Sequence, residues 1–508
     1  MMFTVVVPVF LAMGFSQSFF GGVVSYPSFY DLFPKVNTST TKGDIKEHNS
    51  LIQGTVNACL NLGAVAGCLS CMYVGNKLGR RKTTVLGNII AVVGTILHAT
   101  AFSFAQLIVS RLILGYGIGM ASSTVPAWQT ETSRTHKRGH HVIADGITIG
   151  FGIALASWAT FGFSHVTGTS SWQWRVPAIT PGIMCVIAGF AATLFPESPR
   201  WLALTGDYAK SRDVLAVVYD EEIDSVHVAQ VLENIQHANE EAAEGASFFS
   251  IFKMGKEKVL YRLLLACSVQ WYSQMAGSGL ITYYSNQLFA NIGLDSQTSK
   301  IMAACVLTFK AACAFIPFAT IELAGRRKLF LISGAGMAVC MFALAASASQ
   351  VPKTVHAGYA GIVFAFLYVF FYPIGFLGVN WLFCQEIITT RYRAPVAGVS
   401  TAVHWLTSFA VSLTTPLGFT SLGWKYYLIW GASATSILFV VYFFYPETTD
   451  MSVEEIDQIF IDSTGVFATP RLATQRRKAA IARRANSTGV VEHFGSDHKV
   501  EIEEREVA

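Results

Sequence analysis

Three short polar signatures occur twice in this chain, in the same order, with about 250 residues between the copies. They are a Gly-Arg-Arg turn, a Glu followed by an Arg, and a Pro-Glu pair. The copies read Gly79-Arg80-Arg81 and Gly325-Arg326-Arg327, Glu131…Arg138 and Glu386…Arg393, and Pro196-Glu197 and Pro446-Glu447. A constant separation indicates two copies of one folding unit, and nearly everything between the signatures is apolar.

The apolar stretches are long enough to cross a bilayer, whose hydrocarbon core of about 30 Å takes about 20 helical residues. Of the 508 residues, 52% are hydrophobic and 13% are charged, against about 25% charged in ordinary soluble domains. This pattern predicts an all-α membrane protein with twelve transmembrane helices in two six-helix bundles. The stretches lie at roughly 4–24, 52–72, 83–103, 105–125, 142–163, 174–195, 259–279, 301–321, 329–349, 357–378, 396–417 and 426–445.

Polar segments between and after the apolar stretches divide the chain into four parts. Residues 1–196 are predicted to form the N-terminal six-helix bundle and 259–446 the C-terminal one. Residues 197–258 read as cytoplasmic linker helices. The remainder, 447–508, is predicted to be a cytoplasmic tail, largely disordered beyond about 465, because charged runs with few aromatic residues cannot bury a core.

Basic residues gather in the loops that follow the even-numbered spans. By the positive-inside rule these loops and both termini are cytoplasmic. The net charge of +4 mostly reflects this bias, so nucleic-acid binding is not indicated. Asn37-Thr38-Ser39 is a glycosylation sequon in the first outer loop, which favours a secretory-pathway membrane; we expect the plasma membrane.

The duplicated signatures place arginines and carboxylates at one membrane face. A Gly-Arg-Arg turn bends the backbone while its guanidinium groups face the cytoplasm and helix C-termini. Arginine and carboxylate groups that bridge helices when this face is closed, and separate when it opens, would act as a charge latch. The predicted latch residues are Arg80, Arg81, Glu131, Arg138, Glu197, Arg200, Arg326, Arg327, Glu386, Arg393 and Glu447.

Taken as a set, the motifs resemble those of one transport family, the sugar porters of the major facilitator superfamily. Besides the duplicated signatures, the set includes Arg111 with Gly115, Gly117 and Gly119, and Trp174-Arg175-Val176-Pro177. The segments 14–18 and 274–284 resemble the fungal lactose-permease-like group. The resemblance implies a secondary carrier with the major facilitator fold, in which two bundles rock to expose a central site alternately to each side.

The resemblance also locates a candidate cargo site, and several of its positions depart from the family. Sugar porters line the site with amides and aromatic rings, because a hexose needs partners for its hydroxyls and a surface for its ring. Ser273, Gly279 and Gly146 stand at amide positions of the family, and His404 replaces an Asn. The candidate cargo residues are Gln274, Tyr283, Tyr284, Lys310, Trp381, His404 and Trp405.

Lys310 is the sharpest departure, because it takes a sugar-contacting Asn position close to the middle of a span. A lysine at the bilayer centre costs about 2.5–3.5 kcal/mol on insertion scales, so it is expected to face a polar cavity on a substrate or ion path. The alternative is a structural lysine that extends to the interface or pairs with a carboxylate. A cationic cavity favours an anionic or carboxylate-bearing cargo over a neutral sugar.

Proton-coupled relatives carry a first-span Asp near a fourth-span Arg, and this chain has Ser16 with Arg111. A serine does not titrate in the useful range, so we expect no coupling by that route and favour uniport or exchange over proton symport. The coupling candidates are Ser16, Arg111 and His404, since histidine titrates near neutral pH. Asp145 is an outside candidate. Asn76 replaces the acid before the first Gly-Arg-Arg, which predicts a weaker N-terminal latch.

Three function classes follow. The first is a carrier of a sugar or, as an alternative, an exporter of an organic acid or specialised metabolite. The second is a sugar-sensor-like receptor that does not transport, against which the short tail argues. The third, an enzyme, is rejected because no nucleophile–base pair or metal-ligand spacing occurs. We expect no cofactor and no metal, a small-molecule cargo and the lipid bilayer as partners, and a monomer.

Overall fold

The computed structural model describes residues 1–38, 40–133, 138–166, 170–243, 248–351, 354–389, 392–449, 451 and 453–479. Within these ranges the chain is helical and has no strand. Eleven helices in them are long and apolar enough to cross a membrane. Spans one to six are Met2–Val23, Gly43–Gly75, Lys77–Ala99, Phe104–Glu131, His141–Phe163 and Trp172–Thr193. Spans eight to twelve are Ser296–Ala324, Arg326–Gln350, His356–Glu386, Pro395–Ser421 and Lys425–Phe444.

Span seven, predicted as one helix over 259–279, is two shorter helices. Val259–Met275 and Ser278–Asn291 meet at Gly277, whose φ of +100° is readily adopted only by glycine. With this broken helix the described residues contain twelve spans, and the predicted all-α membrane fold is confirmed. Discontinuous helices occur in carriers near the bilayer midplane, where freed backbone groups line a site.

Side-chain hydroxyl groups donate hydrogen bonds to the backbone carbonyls that lose their helical partners at this break. Ser278 Oγ donates to the Ser273 carbonyl at 2.6 Å, and the Tyr368 hydroxyl donates to the Ala276 carbonyl at 3.0 Å. An unpaired carbonyl in hydrocarbon would be costly, so such pairing is what permits a broken helix inside the bilayer.

The two halves pack together mainly through three pairs of spans. Span two packs along span eleven, span five along span eight, and span one against the second piece of span seven. A hydrogen bond from Trp158 Nε1 to Thr308 Oγ1 at 2.8 Å joins spans five and eight. These six spans therefore supply most of the side chains of any site between the halves.

The two ends of the molecule are named here by their residues. The arginine end holds the turns Gly79-Arg80-Arg81 and Gly325-Arg326-Arg327. At the far end, span one ends at Val23 and span two begins at Gly43. The prediction that the arginine end faces the cytoplasm stays a prediction.

The linker and the tail are both folded. In the linker, Pro199–Leu204, Tyr208–Tyr219 and Val226–Ala243 are helices that share an apolar cluster. In the tail, a helix over Val453–Asp462 is followed by a second one over 469–479. Order therefore extends past the boundary predicted near 465, while 480–508 lie outside the described residues.

The first tail helix is held by the start of span seven. Arg262 pairs with Asp457, and its guanidinium carbon lies 4.2 Å from the centroid of the Phe460 ring. Lys258 Nζ donates to the Phe460 carbonyl at 2.8 Å. These contacts could not be predicted from residue spacing, because they join residues that are far apart in the chain.

Candidate functional site

A small cavity lies between the halves. Its volume is about 30 Å³, which is room for about two water molecules. The first half contributes apolar side chains and one amide: Met13, Gln17, Ile149 and Ile153. The second half contributes five of the predicted cargo residues: Gln274, Tyr283, Lys310, Trp381 and His404. The structure thus brings these five together, and their binding of cargo stays a prediction.

Lys310 lies in the wall of this cavity and is 3% exposed. Its Nζ donates to Thr282 Oγ1 at 2.7 Å and lies 4.8 Å from the centroid of the Tyr372 ring. None of the ion pairs among the described residues includes Lys310. The ammonium group therefore has a hydroxyl and an aromatic face as described partners, and no carboxylate.

His404 is held in a network of neutral side chains from span seven. Its Nδ1 lies 3.1 Å from both Gln270 Oε1 and Ser273 Oγ, and its Nε2 lies 3.3 Å from Gln274 Nε2. A neutral ring with its proton on Nδ1 donates to Gln270 and accepts from Gln274. That tautomer is assigned from the hydrogen-bond network. The Trp381 ring packs on the imidazole with 5.1 Å between centroids.

Sequence reasoning missed two amides behind the histidine. Gln270 lies one helical turn before Gln274, and its Oε1 also accepts from Asn380 Nδ2 at 3.0 Å. Both residues are fully buried. The spacing of four residues between the two glutamines of span seven was the available signal.

Tyr284 and Trp405 do not line the cavity, in contrast to the prediction for them. The Tyr284 hydroxyl accepts from Asn57 Nδ2 at 3.0 Å and donates to the Ser412 carbonyl at 2.8 Å, so it joins the halves towards the far end. Trp405 is fully buried and packs edge-on against His404. Adjacent residues on a helix point about 100° apart, which is why only one residue of each neighbouring pair reaches the cavity.

Ser16 and Arg111, paired in the coupling prediction, do not bind each other. Ser16 Oγ donates to the Ala12 carbonyl of its own helix at 2.8 Å. Arg111 donates to the Val56 carbonyl and to Asn57 Oδ1, each at 2.8 Å. Arg111 is therefore satisfied by the backbone and an amide of span two, in place of the first-span acid of the relatives.

The first arginine cluster joins spans three and four to the end of span six. Arg80 makes a two-pronged ion pair with Glu131, with Nε–Oε2 and Nη2–Oε1 distances of 3.0 Å. Glu197 Oε1 accepts the backbone N–H groups of Arg80 at 2.8 Å and Arg81 at 3.0 Å. A carboxylate at a helix N-terminus is stabilised by these free N–H groups.

The second arginine cluster repeats this arrangement. Arg326 pairs with Glu386 through Nη2 and Oε1 at 2.8 Å and Nε and Oε2 at 3.2 Å. Glu447 accepts the backbone N–H groups of Arg326 at 3.0 Å and Arg327 at 3.3 Å. Glu322 adds a third carboxylate, 3.2 Å from Arg326 Nη1.

Each cluster lies within one bundle. The prediction described a latch that bridges helices at this face, and the described pairs bridge helices of the same half. Arg81 and Arg327 likewise donate to carbonyls of their own half, at Phe195 and Tyr442. Arg200 lies on the first linker helix, Pro199–Leu204. The side chains of Arg138, Arg393 and Asn76 lie outside the described residues.

The comparisons with known proteins decide the family. The profile described as sugar (and other) transporter matches residues 1–460. This chain belongs to that family. The sugar transporter STL1 of Saccharomyces cerevisiae is 33% identical over 457 residues, which cover 89% of this chain and 79% of the yeast protein. The MFS-type transporter oryC of Aspergillus oryzae is 31% identical, over 94% of this chain and 92% of its own.

A solved structure shares the fold of the transporter. The proton:xylose symporter XylE bound to 6-bromo-6-deoxy-D-glucose superposes with a TM-score of 0.76 at 21% identity, over 90% of this chain and 97% of that one. This confirms the major facilitator fold. The finer assignment to the fungal lactose-permease-like group stays a prediction.

The halves of the transporter meet on both sides of the cavity. Towards the far end, Asn61 Nδ2 donates to Ser412 Oγ at 3.0 Å. Towards the arginine end, a Cβ placed on Gly146 would lie 2.5 Å from the carbonyl oxygen of Leu377. Gly146, which replaces an amide of the family, is therefore required for close packing of spans five and ten. The described conformation encloses the cavity.

Asn37, the predicted glycosylation site, lies at the far end. Its Nδ2 donates to Thr40 Oγ1 at 2.7 Å, and its carbonyl accepts from Asn49 Nδ2 at 2.7 Å. Ser39 of the sequon lies outside the described residues, so the use of this site stays a prediction.

Proposed function

We propose that this transporter is a secondary carrier that moves a small hydroxyl-bearing organic anion by alternating access. The observation that carries the proposal is the Lys310 ammonium group in the wall of the enclosed cavity, without a carboxylate among its described partners. A charge removed from water needs an opposite charge or several hydrogen bonds. A carboxylate on the cargo would supply that charge each time the cavity closes.

The other walls of the cavity suit the remainder of such a cargo. Gln274 and the Tyr283 hydroxyl offer hydrogen bonds to hydroxyl groups, and Trp381 offers an aromatic face. Amide and aromatic groups of this kind fix the orientation of a polar ligand. The enclosed volume of about 30 Å³ is far below that of a sugar, so cargo binding must be accompanied by a separation of the halves.

The arginine clusters support rocking of the halves as rigid bodies. Each cluster ties three elements of one bundle together, and its described ion pairs do not reach the other bundle. We propose that they keep each half rigid at the arginine end while the seam between the halves opens. We also propose that this end faces the cytoplasm, that the plasma membrane is the site of action, and that a monomer is sufficient.

A neutral sugar is the second candidate cargo. It is favoured by Gln274 and Trp381, and by relatives named as sugar carriers, among them the high-affinity fructose transporter ght6 of Schizosaccharomyces pombe, 27% identical over 98% of this chain. In that case Lys310 would donate to a hydroxyl or a ring oxygen. Under either proposal the usual first-span acid is replaced by Ser16 and contributes no proton.

The experiment uses two sugars that differ only at C6, D-galacturonate with a carboxylate and D-galactose with a hydroxymethyl group. Exchange of each labelled sugar is measured in vesicles that contain the purified wild type, Lys310→Met or Lys425→Met. Lys425 is the control because it is an exposed lysine at the far end. Loss of a hydrogen bond to a charged group costs about 1.5–3 kcal/mol, a factor of about 10–150.

We expect the wild type and Lys425→Met to exchange D-galacturonate in preference to D-galactose, and Lys310→Met to lose that preference by at least about tenfold. Thermal unfolding of each variant shows whether it is folded. Preferential exchange of D-galactose that Lys310→Met leaves unaltered would refute an anionic cargo and support the neutral sugar.

A further inference from the structure

Asp145 is a buried carboxyl group that the cargo site does not use. It is 5% exposed, and neither of its carboxyl oxygens has a hydrogen-bond partner among the described residues. It lies on span five one helical turn before Ile149, which lines the cavity, on the side towards the arginine end. A buried membrane carboxyl without a partner requires an explanation.

A buried amide on span four lies beside this carboxyl, and its oxygen also lacks a hydrogen-bond partner in the part of the chain that the structure describes. Gln129 of span four faces the Asp145 carboxyl and is 4% exposed. Its Oε1 also has no hydrogen-bond partner among the described residues, while its Nε2 donates to Met2 Sδ at 3.0 Å. The Gln129 amide lies within reach of the carboxyl, and neither the carboxyl oxygens nor Gln129 Oε1 has a donor among the described residues.

Several charged groups lie on the helices that pack against span five, and none of those described pairs with Asp145. They are the amino group of Met1 before span one, Arg111 and Glu131 on span four, Arg175 on span six, Lys300, Lys310 and Glu322 on span eight, His356 and Glu386 on span ten and His141 on span five itself. The described structure records no ion pair or hydrogen bond from any of these groups to Asp145. The side chain of Arg138 lies outside the described residues.

We propose that Asp145 binds the proton that this carrier moves with its cargo, and that Gln129 accepts the hydrogen bond of the protonated carboxyl. A charged carboxylate at this position would have neither a cation nor a donor, which is unfavourable in a dry interior. A neutral carboxyl donates its O–H to Gln129 Oε1, so that one proton satisfies both acceptors. In the described conformation Asp145 therefore holds a proton.

The position of Asp145 provides a route for release. Its neighbours Ile143 and Gly146 contact Gly378 and Leu377, where spans five and ten close the arginine end. Separation of this seam admits water to the carboxyl, and the proton leaves to that water. When the far end opens, water in the cavity reaches Ile149, about 6 Å along the helix from Asp145, a distance that a bridging water spans.

Coupling at this position rests on the proposed function and extends it. One proton on Asp145 would accompany one anion at Lys310, so each transport cycle would move no net charge. The anion at Lys310 and the proton at Asp145 are bound at separate positions. The missing first-span acid is then no obstacle to proton symport, because the titrating group lies on span five.

The first experiment detects the proton without any cargo. A buried, protonated carboxyl gives an infrared C=O stretching band that shifts in heavy water. We expect this band at neutral pH in the wild type, its loss in Asp145→Asn, and its retention in Asp145→Glu. Asp295→Asn is the control, because hydrogen bonds from Thr298 hold the pKa of the Asp295 carboxyl below its usual value. A spectrum that Asp145→Asn leaves unaltered would overturn the proposal.

The second experiment measures proton uptake with a pH-sensitive dye inside vesicles when D-galacturonate is added outside. We expect uptake in the wild type and in Asp295→Asn, and a loss of at least tenfold in Asp145→Asn, which is nearly isosteric with the wild type. Exchange of labelled D-galacturonate in the same vesicles tests the carrier itself. Absent exchange in the wild type refutes the proposed function, whereas exchange with equal proton uptake in wild type and Asp145→Asn refutes this inference.

Discussion

Replacement of Gly325 by alanine tests whether the Gly-Arg-Arg turns exist to hold a carboxylate. Gly325 has φ +87° and ψ +156°, a region that is essentially limited to glycine. A Cβ added there would lie 2.6 Å from Glu447 Oε2, so the carboxylate must move. That movement breaks its hydrogen bonds with the backbone N–H groups of Arg326 and Arg327.

Two costs add in this variant. The backbone conformation costs about 1–3 kcal/mol for a residue with a side chain. Each hydrogen bond to a charged group contributes about 1.5–3 kcal/mol, so loss of the two bonds to Glu447 costs about 3 kcal/mol or more. We therefore expect Gly325→Ala to destabilise the protein by about 4–6 kcal/mol.

A double-mutant cycle separates the two costs. In a Glu447→Ala background no carboxylate remains to be displaced, so Gly325→Ala should cost only the backbone part, and the coupling energy should be about 3 kcal/mol. Gly206→Ala is the control, because its φ is +84° and a Cβ there would meet no atom within 4 Å. Its effect should add to that of Glu447→Ala within about 0.5 kcal/mol.

The assay is unfolding of the purified variants in detergent, followed by tryptophan fluorescence. A coupling energy below about 0.5 kcal/mol between Gly325→Ala and Glu447→Ala would show that the carboxylate does not occupy the space that the glycine leaves. The reasoning about the turn would then be wrong in both halves, because Gly79 and Glu197 have the same arrangement.

Two further variants test the seams on either side of the cavity. Gly146→Gln restores the amide that the family has at this position. Because the side chain would collide with the Leu377 carbonyl and prevent spans five and ten from closing, we expect exchange of labelled cargo to fall at least tenfold. Exchange at the wild-type rate would contradict this close contact. Tyr284→Phe removes the hydroxyl that joins Asn57 to Ser412, and we expect the protein to lose about 1–2 kcal/mol of stability. We also expect a cysteine introduced at the buried position Ser408 to react faster with a thiol reagent. Unaltered labelling would show that this bridge does not close the far end.

The arginine clusters show how far sequence reasoning reaches. Duplication of Gly-Arg-Arg, Glu and Pro-Glu predicted that these residues meet at one face, and Arg80 does pair with Glu131 as Arg326 does with Glu386. The sequence could not say whether the pairs lie within or between the halves. That depends on the packing of spans, which residue spacing does not encode.

The residues of the cavity were predicted only in part. Lys310 and His404 were selected because they break the pattern of the family, and both line the cavity. Tyr284 and Trp405 were predicted with them but do not line the cavity, since a motif names neighbours on a helix without giving their direction. Gln270 and Gln129 were missed, because each is significant only through a partner on another helix.

The sequence alone determined the twelve apolar spans, the two matching halves, the charged turns at one end and an out-of-place lysine near the middle of span eight. These properties follow from composition and spacing. A helix needs about 20 apolar residues to cross a bilayer, and the two copies of a duplicated unit keep the same short motifs. Tertiary structure decided the break at Gly277, the enclosed cavity and the unpaired Asp145 facing Gln129. Each of these depends on which side chains from distant spans meet, and the burial of a charge or an unpaired oxygen exists only after the helices have packed.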